Sequence, residues 1–156
     1  MPKRTVDLFV LDIIISIDRI KRYAIDLCDG DDLKKDETLC SAILRELGII
    51  GEAMSQLLKT KKLASLIKPD WRDIVDFRNI VIHEYFGLNF DEVFKIIKKE
   101  VPTLEKEIID LMKNLWQEES MQQSFDDTLR ELRWMGRDGS VKYLTRLKTS
   151  LNKAQK

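Results

Sequence analysis

The chain has 156 residues and 44% apolar side chains, enough for one continuous core and too little for two. Lysine plus arginine balances aspartate plus glutamate at 27 each, which excludes a global positive field of the kind that holds nucleic acid without selectivity; any such contact must be local. No run reaches the roughly 18 apolar residues of a membrane span, and Cys28 and Cys40 lack the number and spacing of a disulfide framework or a zinc site, so a cytoplasmic protein with both thiols reduced and buried is expected.

Val6, Phe9, Val10, Ile13, Ile17, Ile20, Ala24 and Leu27 recur at spacings of three and four and predict an amphipathic helix over about 5–27. The cluster Cys28-Asp29-Gly30-Asp31-Asp32 ends it and opens an acidic stretch of Asp26, Asp29, Asp31, Asp32, Asp36 and Glu37, read as a solvated face. A second helix is predicted over about 38–59 through Cys40, Ile43, Leu44, Leu47, Ile50, Met54 and Leu57. Gly48 and Gly51 lie inside it. Glycine costs a helix interior about 1 kcal/mol relative to alanine, so the pair suggests a place where another group comes close, a packing contact first of all. Lys59 to Lys68 is basic with room for a short helix.

Pro69-Asp70-Trp71 reads as a helix start with Asp70 as cap, the helix running to Tyr85 and closing at Gly87. Asn89 or the residues just after it open the next, whose apolar pattern continues to about 117 with Pro102 predicting a kink or break. Gln117 to Ser124 is a polar link. Residues 125–135 and 140–153 predict two shorter helices, basic in balance and divided by Gly136-Arg137-Asp138-Gly139. With no convincing alternating pattern, the fold class expected is all-α, an antiparallel helical bundle over 1–117 with a basic helical extension over 118–156.

The single histidine stands in Arg78-Asn79-Ile80-Val81-Ile82-His83-Glu84-Tyr85. On a helix, Arg72, Asp76, Asn79 and His83 share one stripe, Arg78, Ile82 and Tyr85 form a second about a quarter turn away, and Ile74, Phe77, Ile80 and Val81 take the apolar side. Imidazole can give or take a proton near neutrality, and guanidinium is a fork matched to phosphate oxygens. RNA is cut without metal when its own 2′-hydroxyl attacks the adjacent phosphorus, a reaction that asks for a base, an acid and a cation. One histidine serves as base or acid at a given instant, so a complete site needs water or a second copy of the same helix, and a two-fold dimer is expected. Arg78 would hold the phosphate, His83 would transfer protons and Asn79 would orient the phosphate or the imidazole. Spacing alone also fits an ordinary surface pair, and Tyr85 alone a packing residue.

Two segments, Ala42-Ile43-Leu44-Arg45-Glu46-Leu47-Gly48-Ile49-Ile50-Gly51-Glu52-Ala53 and Trp71-Arg72-Asp73-Ile74-Val75-Asp76-Phe77-Arg78-Asn79-Ile80-Val81-Ile82-His83-Glu84-Tyr85, together resemble the HepT proteins, HEPN-domain toxins of the HepT/MntA toxin–antitoxin systems. The likeness extends over about residues 5–115. It implies a helical homodimer that cleaves RNA, tRNA or mRNA, without metal or other cofactor, with Arg78 and His83 catalytic in a cleft between subunits. It further implies Asn79, Arg45 and Glu52 as supporting residues, and Tyr85 as the acceptor of AMP from a partner nucleotidyltransferase, MntA, that silences the toxin. A noncatalytic HEPN scaffold that binds a nucleotidyltransferase or RNA is the alternative, which the neutral net charge favours. Residues 118–156 extend past the likeness; wrapping a dimer, binding RNA and contacting the antitoxin all remain open for them.

Overall fold

The structure, a computed structural model, describes residues 4–83 and 87–155, with the backbone alone for residues 80–83. Every regular element among them is helical. The order is α1 (Val6–Tyr23), α2 (Gly30–Lys35), α3 (Glu37–Leu58), α4 (Trp71–His83), α5 (Phe90–Lys95), α6 (Val101–Leu115), α7 (Glu119–Trp134) and α8 (Asp138–Ala154), with a 3₁₀ turn at Lys61–Leu63 and a π turn at Ile96–Glu100.

Helix α1 is the axis of the molecule. It packs on α3 along one side and on α6, α7 and α8 along the others. Val10, Leu11, Ile13, Ile14, Ile15, Ile17 and Ile20 are all buried, so nearly its whole circumference is covered rather than the single stripe expected. A helix buried all round is apolar all round, and the consecutive isoleucines at 13–15 are the trace of that in the sequence. It ends at Tyr23 rather than near 27. The following acidic residues form α2, a short helix that the apolar spacing does not reveal.

That acidic stretch turns out to be capping chemistry. Asp29 accepts a hydrogen bond from the Asp32 amide at 3.0 Å and starts α2, Asp32 reaches back to the Cys28 amide at 2.8 Å, and Asp36 accepts from the Leu39 amide at 3.0 Å and starts α3. Gly30 is required here, because a β-carbon would overlap Asp91 at the head of α5. Cys40 is buried, but Cys28 is exposed, contrary to expectation, because it sits in this turn ahead of α2.

Asn89 caps α5 by accepting from the Asp91 and Glu92 amides at 3.1 and 3.2 Å. Pro102 interrupts the run as expected. The chain answers with the π turn immediately before it, which places Pro102 in the first turn of α6, where a missing N–H is tolerated.

Helices α7 and α8 complete the core. Met121, Phe125, Leu129 and Leu132 of α7 and Leu144, Leu147 and Leu151 of α8 are buried. Phe125 stands edge-on to Trp116 with ring centres 5.2 Å apart, and the indole N–H of Trp116 donates to Asn152 at 2.9 Å. Between the two helices the Gly136 amide donates to the Arg133 carbonyl and that of Arg137 to the Leu132 carbonyl, at 3.0 and 2.9 Å. This is a Schellman closure. It places Gly136 at φ 71°, the left-handed region that glycine enters without penalty.

Candidate active site

Helix α4 carries the arginine of the octet and lies along α3. Its first turn closes through the amides of Trp71, Arg72 and Asp73 onto the carbonyls of Lys68, Pro69 and Asp70. Ile74 and Phe77 pack against the core, whereas Arg72, Asp76 and Asn79 are exposed, as the helical spacing requires.

Arg78 lies between these two faces, with about a quarter of its side chain exposed. Its position is set by α3. Gly51 faces it so closely that a β-carbon there would overlap the arginine's own β-carbon and come within 2.8 Å of Cγ. Of the two glycines singled out by helix cost, Gly51 therefore marks the close approach, while a β-carbon at Gly48 would meet nothing within 4 Å. One residue along, Glu52 pairs with Nη1 of Arg78. Asn79 Oδ1 accepts from Nε at 3.3 Å and from Nη2 at 3.1 Å.

A guanidinium has five N–H donors; the contacts among the described residues use three, leaving one on Nη1 and one on Nη2. Donors on both terminal nitrogens suit two oxygens of a phosphate. Glu52 and Asn79 thus orient the fork without exhausting it. Three of the expected residues, Arg78, Asn79 and Glu52, are brought together.

Arg45 is not. It stands two helical turns before Glu52, contacts Glu46 at 3.5 Å, and lines a separate polar pocket. Seven residues at 3.6 per turn keep it on the same face of α3 as Glu52 but about 10 Å along the axis, so it stands apart from the arginine's own contacts. The side chain of His83, the last residue of α4, and the whole of Tyr85 lie outside the described residues.

On the apolar side of α4 a pocket of about 330 Å³ opens between α3, α4 and α6, lined by Leu47, Ile50, Trp71, Ile74, Phe77 and Val101 among others. Asp70, Asp73, Glu100 and Glu107 also line it, with no cation among its lining residues. Negative charge of that density repels a phosphate chain, so this cavity is no part of a nucleic-acid path. Among the described residues no group of three or more His, Cys, Asp or Glu side chains is placed to hold a metal. Nor, among them, is any helix long and apolar enough to cross a membrane.

Comparison with known proteins gives a consistent answer. Residues 13–111 match the family described as "Ribonuclease HepT-like", a span that ends within α6 and leaves α7 and α8 outside it. The chain is 33% identical over 108 residues to "Putative RNase MJ1380" of Methanocaldococcus jannaschii, covering 69% of this chain and 97% of that protein. It is 36% identical over 96 residues to "Putative RNase TTE0752" of Caldanaerobacter subterraneus subsp. tengcongensis, covering 62% and 80%, and 30% identical over 111 residues to "Probable ribonuclease HepT" of Thermococcus cleftensis, covering 71% and 99%. No solved structure matches it. With the family's span covering both the arginine helix and the glycine-bearing helix that seats it, this chain belongs to the HepT-like ribonuclease family.

Proposed function

We propose that the protein is a metal-independent RNA endonuclease that works as a two-fold dimer and serves as the toxin of a toxin–antitoxin pair. The observation that carries this reading is the seating of Arg78. An arginine packed over a glycine and oriented by Glu52 and Asn79 keeps, among the described residues, two donors for an anion. Orientation of this kind is what stabilises charge developing on a phosphorane, because the donors need not reorganise during the reaction.

In this reading the 2′-hydroxyl of the substrate attacks the adjacent phosphorus, and the 5′-oxygen of the next nucleotide leaves. His83 of one subunit takes the proton from the hydroxyl, and His83 of the other gives one to the leaving oxygen. Arg78 holds the nonbridging oxygens. Silencing in this reading rests on the family resemblance: AMP joined to Tyr85 by a cognate MntA-like nucleotidyltransferase would bring a phosphate that competes with that of RNA for Arg78.

The test is cleavage of single-stranded RNA in the presence of a chelator. His83→Ala and Arg78→Ala are each expected to abolish cleavage with helix content and subunit assembly unchanged, and an unaltered rate in either variant would remove that residue from the mechanism. Coexpression with the partner should add about 329 Da per AMP to the intact mass, and Tyr85→Phe should prevent the first addition. AMP found on a different residue of the wild type would overturn the Tyr85 assignment.

A further inference from the structure

A second concentration of arginine lies away from Arg78, where the turn between α7 and α8 meets α1 and α3. There Arg19, Arg22, Arg45 and Arg137 line a polar pocket of about 500 Å³ against Glu46 and Asp138. Two of the four are committed. Arg22 donates to Asp18 at 3.1 Å and to Ser140 at 3.2 Å, and lies so close over Gly139 that a β-carbon there would come within 2.5 Å of its Nη1. Arg19 is largely covered and contacts Glu46 at 3.5 Å.

Arg45 and Arg137 are loosely held. The side chain of Arg45 is 72% exposed, and its one ion pair among the described residues is a 3.5 Å contact to the same Glu46 oxygen that Arg19 shares. Arg137 is exposed and forms no salt bridge among the described residues. It is also the N-cap of α8, whose first turn has no side-chain cap, so free amides add to the positive potential. Glu46, only 2% exposed, keeps its second carboxylate oxygen with no hydrogen-bond partner among the described residues. The pocket therefore presents two exposed cations above a buried carboxylate whose second oxygen has no donor among the described residues.

Two further features say what kind of anion fits. Trp134, two residues before the pocket's Gly136, is 86% exposed, whereas Trp71 and Trp116 are each 1% exposed. An indole in solvent on the last residue of the helix that leads into the pocket is a candidate stacking platform for a base. Arg45 also shares a face of α3 with Glu52, the partner of Arg78, with the open Gly48 between them and nothing within 4 Å of its missing side chain. A strand can lie along that face.

We propose that this pocket is a subsite for the RNA strand, in which Arg45 and Arg137 take a backbone phosphate, Trp134 stacks a base, and the strand continues along α3 to Arg78. This rests on the nuclease reading above. Arg45 swings from Glu46 to the phosphate, leaving Oε1 of Glu46 to Arg19. A mononucleotide shares this chemistry, so the experiment must separate the two.

The full-length His83→Ala protein, which holds RNA without cutting it, is titrated with a labelled single-stranded RNA of about a dozen nucleotides. Arg137→Ala and Arg45→Ala in that background are each expected to weaken binding about tenfold, in line with loss of a charged hydrogen bond, and to flatten the salt dependence by about 0.7 in log–log slope, the value for one phosphate of a single strand. Trp134→Ala should weaken binding and abolish the RNA-dependent quenching of tryptophan emission, and Trp134→Phe should restore the affinity. In the otherwise native protein, Arg137→Ala should raise KM for long RNA and leave kcat unchanged.

Wild-type affinity in all three alanine variants would overturn the subsite. Tight binding of AMP at the pocket, with RNA binding unaffected by the substitutions, would reassign it to a free nucleotide. Loss of the dimer on gel filtration of Arg45→Ala or Arg137→Ala would make it a subunit contact and overturn the proposal. Absence of cleavage by the native protein, with RNA binding that these substitutions still weaken, would defeat the nuclease reading and leave the subsite standing.

Discussion

Gly48 and Gly51 are three residues apart on one helix, and opposite outcomes are expected on replacing them. Gly51→Ala puts a methyl group into the Arg78 side chain, so α3 and α4 must separate or the guanidinium must leave Glu52. Overpacking of that kind costs about 1–3 kcal/mol, and if Arg78 holds the reacting phosphate as proposed, its displacement lowers the rate about a hundredfold. Gly48→Ala meets nothing within 4 Å and gains up to about 1 kcal/mol of helix propensity. Thermal melts and RNA cleavage on the two variants check the pair. Asp18 is a residue of a different kind. Burial raises its carboxyl above the usual 3.8, and Arg22 only partly offsets this. A raised folded-state value means that its contribution is most favourable when the group is protonated, below 3.8, and is lost as pH rises through the folded value. The stability of the native protein relative to Asp18→Asn should therefore fall as pH is raised from acid to neutral, measured by urea midpoints across that range. A difference that grows with pH would contradict the assignment.

At the scale of elements, helix ends carry much of the specification. The acidic run around Asp29 and Asp36 is largely exposed, as expected of a solvated face, and two of its carboxylates also accept the free amides that start α2 and α3. Asn89 does the same for α5 with two amides at once. Asn89→Ala should cost about 1 kcal/mol, read as a lower denaturation midpoint with unchanged slope. The π turn ahead of Pro102 shows the same logic inside a helix. Proline cannot donate and crowds the carbonyl four residues back, and one wider turn lets α5 and α6 continue as a run instead of breaking.

At the scale of the molecule, α7 and α8 are part of the core although the family's span stops at residue 111. They cover the side of α1 left open by α3 and α6, and they bury Trp116 against Phe125. Phe125→Ala should cost about 3–5 kcal/mol. Ending the chain at residue 117 should give a protein that exposes the isoleucines of α1 and aggregates, with native-like melting of the shortened chain as the opposing result. The α7–α8 turn also supplies Arg137 to the arginine pocket, so one pair of helices closes the core and adds a surface.

The all-α class, the extents of α3, α4 and α8 to within about two residues, the interruption at Pro102 and a helix start at or just after Asn89 were legible in the sequence, because apolar periodicity, proline and capping side chains act over one or two turns. The resemblance of two segments carried the family. The sequence could not reveal α2, six residues with too little periodicity to register, or the burial of α1 on every side, which depends on helices far along the chain. Nor could it separate Arg45 from the contacts of Arg78 or distinguish the two glycines. A helical wheel gives direction around an axis and rise along it, whereas which side chain of a second helix fills the space opposite is decided when α3 and α4 pack. That packing seats Arg78 between Gly51, Glu52 and Asn79.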